Sequence, residues 1–295
     1  MASVIYCFDT SALNALHDDP ACEALTAGLL ATNTLQISAL NVDEVCATNN
    51  AARARSLVRL LGRILGDRAP WKAPNLLLQE LTLAYVRKET RVLLSVGADS
   101  APAYRAVLSG DFGLTEDFRA FIRRWHGDTE RPFKEAFGKA RPAFQELFRK
   151  SSVKRPHSRA ALIRHYCKDD EFLLHYVGPI YKRLVGTDLT PTGLHELFSA
   201  VPSWVLYLGG WALPVFERDI QVAAYGAGRK GKSGKKPGTH DLQCAIYLPY
   251  CDRFITADPK QRRALRILNV FNPRNPRTKI ISYDELRSRL ILPLP

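Results

Sequence analysis

Acidic side chains are the scarce charge in this sequence: 29 Asp and Glu stand against 42 Lys and Arg, for a formal charge of +13. That excess goes beyond what solubility requires, and it points to a polyanionic partner. Cysteine pairing is missing as well. The six cysteines (Cys7, Cys22, Cys46, Cys167, Cys244, Cys251) include no CxxC, and several sit in apolar runs such as VIYCF. There they act as small hydrophobes, and they are expected to be reduced and structural. No fixed internal period is found, which excludes a solenoid. The opening run SVIYCF is too short for a secretory apolar region and has no basic flank, so a cytoplasmic protein is expected. An unbroken apolar span is absent too. Leu197 to Phe216 carries no charge, but Pro202, Ser203, Gly209, Gly210 and Pro214 interrupt it. A buried helix bearing Trp204, Tyr207 and Trp211 is expected there, since lipid cannot satisfy the backbone groups that such breakers free.

What is present is the balance of a globular protein, 46% hydrophobic and 24% charged in 295 residues. The two ends of the chain alternate short strand-forming runs with helical ones. Residues 3 to 8 read as a strand stopped by Asp9, Thr10 and Ser11, which cap a helix. Residues 34 to 38 read as a second strand, with Glu44 on an early turn of the helix after it. Residues 241 to 250 read as a short helix, 253 to 257 as a strand ending at Asp258, 260 to 268 as a basic helix, 278 to 282 as a strand, and DELRSRL as a closing helix. Alternation of this kind predicts an α/β fold with a parallel sheet flanked by helices. Residues 50 to 237 are dominated by amphipathic helical patterns, so 1–49 and 238–295 are expected to form one discontinuous domain interrupted by a large, mostly α-helical insertion. Within the insertion, Arg55, Arg59 and Arg63 form a basic stripe at helical spacing, which fits a solvated face or a nucleic-acid contact.

In an open parallel sheet, functional groups gather where the strands end. Asp9 and Asp258 occupy strand ends, Glu44 follows the second strand, and Asp241 opens the helix leading to the strand that delivers Asp258. Four carboxylates facing one crevice repel one another unless a cation compensates, and oxygen ligands suit Mg²⁺ or Mn²⁺. Asp252, before a strand, reads as a cap or turn residue, and His240 as a bystander.

Four segments, VIYCFDTSAL, ISALNVDEV, DLQCAIYLPYCDRFITAD and KIISYDELRSRL, resemble in their order the signature blocks of PIN-domain nucleases. The resemblance implies a PIN-like fold with metal ligands at Asp9, Glu44, Asp241 and Asp258, a supporting hydroxyl on Ser11, and a strand-end threonine at Thr256. It reads the second block as Ser38, Asn41 and Glu44, which prefers Glu44 to its neighbour Asp43. It further implies Mg²⁺- or Mn²⁺-dependent phosphodiester hydrolysis, with RNA as the first choice of substrate, as in toxin-antitoxin nucleases, and an inhibitory or complex-forming protein as a conceivable partner. The alternatives are a DNA-directed nuclease of phage-defence or repair type and a nucleic-acid-binding module with an idle site. A membrane partner is not expected.

Residues 226 to 240 form a Gly-rich basic loop, and Arg229, Lys230, Lys232, Lys235 and Lys236 are its candidate phosphate contacts. The stretch from Gly226 to Ser233 also satisfies the pattern GxxxxGK[ST]. A phosphate-binding loop of that type needs a helix directly after it, and GKKPG cannot begin one. Because the chain leaves the sheet after Glu44 and returns just before Asp241, the insertion is expected to cap the acidic crevice.

Overall fold

A computed structural model describes residues 3–110, 113–125, 160, 163–164, 167–213 and 242–291. Four short strands form one all-parallel sheet: β1 (Val4–Phe8), β2 (Asn33–Gln36), β3 (Arg253–Thr256) and β4 (Lys279–Ser282), in the order β2-β1-β3-β4. Parallel neighbours need crossovers. The helices α1 (Thr10–Asp18) and α2 (Cys22–Thr32) join β1 to β2, and a helix at Pro259–Leu268 joins β3 to β4. Between β2 and β3 run α3 (Ala39–Cys46), α4 (Ala51–Leu65), α5 (Pro74–Val86), α6 (Ala101–Ser109), α7 (Asp170–Val185) and α8 (Pro191–Ala200). Residues 116–125 and 203–213 are helical too. A 3₁₀ helix at Cys244–Tyr250 leads into β3. The Pro259–Leu268 helix is α9, and α10 (Tyr283–Ile291) follows β4. The predicted α/β architecture, a parallel sheet flanked by helices with a long helical insertion after its second strand, is therefore the one observed.

The strands are buried on both faces, so successive residues feed two different cores. Tyr6, Phe8, Ile255 and Ile281 point to a layer that includes Leu13, Leu29, Val42, Leu57, Leu61 and Leu286. Cys7, Phe254 and Ile280 point the other way, to Leu77, Trp204, Leu213, Tyr247 and Leu265. The described helices of the insertion thus serve both layers. Through Leu57 and Leu61, α4 joins the first, while α5, α7, α8 and 203–213 build most of the second. A parallel sheet with two apolar faces needs helices on both, and among the described residues the insertion supplies most of those on the second face.

At the carboxyl end of β2 a short extended strip is added to the edge. Trp71 donates its backbone N–H to the Ile37 carbonyl at 2.9 Å and accepts the Ala39 N–H at 2.7 Å, while Val96 N–H reaches the Pro70 carbonyl at 2.9 Å. The apolar stretch read from sequence as a buried helix is interrupted at Val201 and Pro202, between α8 and the helix that resumes at 203, whereas Gly209 and Gly210 lie within that second helix. No helix among the described residues is long and apolar enough to cross a membrane.

Close helix contacts explain two interior glycines. A Cβ on Gly62, in the last turn of α4, would lie 2.5 Å from the Leu108 carbonyl oxygen of α6, and one on Gly210 would lie 2.8 Å from the Leu242 carbonyl oxygen. Gly62→Ala gains about 1 kcal/mol of helix propensity. It must also force two backbones apart, and overpacking of that kind costs about 1–3 kcal/mol. The overlap with a rigid carbonyl decides the sign, so Gly62→Ala is expected to lower the melting temperature; an unchanged or higher value in a thermal melt would show that α4 and α6 are not packed this closely.

Candidate functional site

Strand order reverses between β1 and β3: the chain first moves outward from β1 to β2, then returns to the other side of β1 for β3 and β4. Helices depart to opposite faces at such a point and leave a crevice beyond the strand ends. Asp9 follows β1 directly, and Asp258 follows β3 with one residue between. The backbones meet there, since Asp9 N–H donates to the Ile255 carbonyl at 3.1 Å.

Asp9 is 8% exposed. Its carboxylate caps α1 by accepting the Ala12 N–H at 2.7 Å. The Ser11 hydroxyl lies 2.9 Å from both of its oxygens, and the Thr256 hydroxyl lies 2.8 Å from one of them. Ser11 uses its remaining capacity to accept the N–H groups of Ala257 at 2.9 Å and Asp258 at 3.2 Å. One serine therefore ties the Asp9 carboxylate to the backbone that carries Asp258. Asp258 caps α9, accepting the Lys260 N–H at 2.7 Å and the Gln261 N–H at 3.3 Å, with Pro259 at the first helical position.

Glu44 is reached through residue 10. The Thr10 hydroxyl donates to the Glu44 carboxylate and accepts from Asn41 Nδ2 at 2.9 Å. Asn41 in turn closes a capping box at the start of α3: its side-chain oxygen accepts from the Ser38 N–H at 2.8 Å and from the Ser38 hydroxyl at 2.8 Å. The Ser38, Asn41, Glu44 step is thus a physical relay, with the cap at one end and the acid at the other. Asp43 faces elsewhere. It is buried beside Tyr104 of α6, whose hydroxyl hydrogen-bonds to it, and desolvation pushes its carboxyl up to about 7.

Asp9, Ser11, Thr256 and the backbone of Asp258 form one hydrogen-bonded network, and Thr10 holds Glu44 in a second one with Asn41 and Ser38. Asp241 and the loop cations Arg229, Lys230, Lys232, Lys235 and Lys236 lie outside the described residues, as do His240 and the Gly226 to Ser233 stretch. Asp252 belongs to neither network. Its carboxylate accepts the Ile5 N–H at 2.7 Å and pairs with Arg274, clipping the amino end of β1 to the β4 connection. Sequence reasoning passed over Thr10 and Gln261. The buried Gln261 side-chain oxygen lies 2.6 Å from the Thr256 hydroxyl, and the Asp-x-x-Gln spacing at a helix start was the available signal.

The donor atoms are carboxylate and hydroxyl oxygens, the type that Mg²⁺ and Mn²⁺ accept. Among the described residues, however, no three His, Cys, Asp or Glu side chains come together as a metal-holding group. Both aspartate carboxylates are already engaged as helix caps. No family model, curated protein or solved structure matches this chain.

Asp43 gives a pH signature separate from any chemistry. Its folded value near 7 lies above the roughly 3.9 of an unfolded aspartate. Its contribution is therefore fully present below about pH 4 and is lost as pH rises through 7, because the unfolded chain ionises first. Asp43→Asn is expected to raise the melting temperature at pH 8 by several degrees, with the gain shrinking steadily toward pH 4. A gain that is equal at both pH values would sink this assignment.

Proposed function

We propose that this chain is a metal-dependent nuclease of PIN-domain type that hydrolyses phosphodiester bonds, with RNA as the preferred substrate. The observation that carries the proposal is the hydroxyl-linked set of acids at the switch point of a parallel sheet, where Ser11 joins Asp9 to the Asp258 backbone and Thr10 holds Glu44. In this reading Asp241, at the entry to the 3₁₀ segment before β3, supplies the carboxylate that completes the set. Asp9, Glu44, Asp241 and Asp258 would hold one or two Mg²⁺ or Mn²⁺ ions. Such a cation, if bound there, would supply a lowered pKa for attacking water and charge neutralisation at the attacked phosphate.

The chain's own residues do the positioning. Ser11 and Thr256 hydrogen-bond to the Asp9 carboxylate and fix its orientation. Thr10 fixes the Glu44 rotamer, and Asn41 fixes Thr10. The Ser38 cap ties that pair to the start of α3, so both acids sit on hydrogen-bonded elements rather than on free loops. The basic residues of the 229–236 loop would hold the phosphates that an acidic crevice otherwise repels. The overall charge of +13 agrees with such a substrate.

Asp9→Asn, Asp241→Asn and Asp258→Asn are each expected to abolish cleavage of labelled RNA while the protein stays folded, and excess EDTA should do the same. Cleavage that survives EDTA, or full activity in Asp241→Asn, would reject the metal mechanism. Thr256→Val should be milder, lowering metal affinity or rate by about 10–100-fold, as losses of groups that orient a metal ligand do. Activity equal to wild type in Thr256→Val would show that its bond to Asp9 is structural only. Running single-stranded RNA, single-stranded DNA and duplexes in parallel with Mn²⁺ distinguishes the RNA reading from a DNA-directed one.

A further inference from the structure

We propose that the solvent-facing arc of α9, formed by the exposed Lys260, Arg263 and Arg266 with the half-buried Arg262, is a track for the phosphate backbone of a nucleic-acid strand at the Asp258 corner of the site. The helix has one buried side, Gln261, Ala264, Leu265 and Leu268. The rest of its surface, apart from Pro259 and the half-buried Ile267, is basic, and no acid occurs between Pro259 and Leu268. Several surface cations elsewhere take carboxylate partners: Arg53 with Asp18, Arg63 with Glu23, Lys182 with Asp188, Arg289 with Glu285. Among the described residues no carboxylate pairs with Arg262, Arg263 or Arg266, and Arg266 donates instead to the Ile280 carbonyl at 3.1 Å.

Helix stability does not account for this set. Lys260 and Arg262 lie near the amino end of α9, where the peptide dipoles disfavour positive charge, and Arg262 and Arg266 repel each other one turn apart. A polyanion removes both penalties. From Lys260 to Arg266 the helix rises about 9 Å, enough to meet two or three successive phosphates of a stacked strand. Because Asp258 caps this same helix, a strand lying along the arc passes the candidate site. The proposal rests on the nuclease reading for the place where the strand is cut, but binding itself is testable without cleavage.

The test uses the full chain in EDTA with fluorescently labelled single-stranded RNA and DNA of one sequence, about 20 nucleotides long, titrated between about 50 and 200 mM salt. Arg262→Gln/Arg263→Gln is expected to weaken binding to both and to flatten the slope of log K against log salt by about 1.4, two contacts at ~0.7 each. The double variant Arg55→Gln/Arg59→Gln on α4, with the same loss of charge, should change the slope far less. Thermal melts check that each variant is folded, and Arg263→Gln alone, expected to remove about 0.7, serves if the double variant is not. An unchanged slope in the α9 variants, an equal effect from the α4 control, or binding to vesicles of anionic lipid but to neither oligonucleotide overturns the proposal. Wild-type protein that binds through α9 yet never cleaves with Mn²⁺ supports the track and removes the nuclease reading. Cleavage together with a salt slope indifferent to α9 does the reverse.

Discussion

A carboxylate taken out of water must be given back the hydrogen bonds that water supplied, and at Asp9 that requirement organises the whole carboxyl end of the sheet. Residues 9, 10 and 11 answer it in turn. Asp9 accepts from the first turn of α1, Thr10 reaches sideways to Glu44 on α3, and Ser11 reaches the other way to the backbone after β3. Two chain segments distant in sequence, α3 and the residues after β3, are thereby fixed to one tripeptide. None of these bonds is strong by itself, at about 1 kcal/mol net for a neutral pair and somewhat more where one partner is charged. Their weight comes from the alternative, a buried charge left without donors.

That tripeptide can act as a hub only because the sheet beneath it is held from both sides. The strands are four or five residues long and alternate between two cores, so neither face tolerates exposure. One core draws on α1, α2, α4, α6 and α10; the other depends on α5, α7, α8, residues 203–213 and the 3₁₀ segment before β3. The insertion therefore belongs to the load of the fold, and the site's geometry inherits its rigidity from helices that carry none of the candidate acids.

Much of this was legible in the sequence because local rules agreed with the final structure. Strand ends fell within two residues of the readings, and Asp9 was recognisable as a helix start from side-chain chemistry, whereas Ser38, read as the end of a strand, caps α3. The resemblance preferred Glu44 to Asp43, and the two differ physically: Glu44 accepts from Thr10, while Asp43 is buried against Tyr104. The helix read over 241–250 is a 3₁₀ turn from Cys244 onward, with Pro249 inside it. What was not legible was which face each amphipathic helix would choose. Helical periodicity marks an apolar stripe but not its partner, so the division of α4 and α5 between two cores had no local signal. Thr10 was overlooked for a similar reason, since its role exists only once α3 lies alongside.

The strip at Trp71 has a consequence for how the molecule meets copies of itself. A parallel sheet this small ends in open edges, and an unpaired edge is a template on which another chain can build. At the carboxyl end of β2 that template is already taken: Trp71 holds the hydrogen-bonding groups of Ile37 and Ala39, and its ring packs against Tyr247 with centroids 5.8 Å apart. The chain has closed this part of its own border with a piece of its insertion, so the ground nearest the acids is denied to strand exchange.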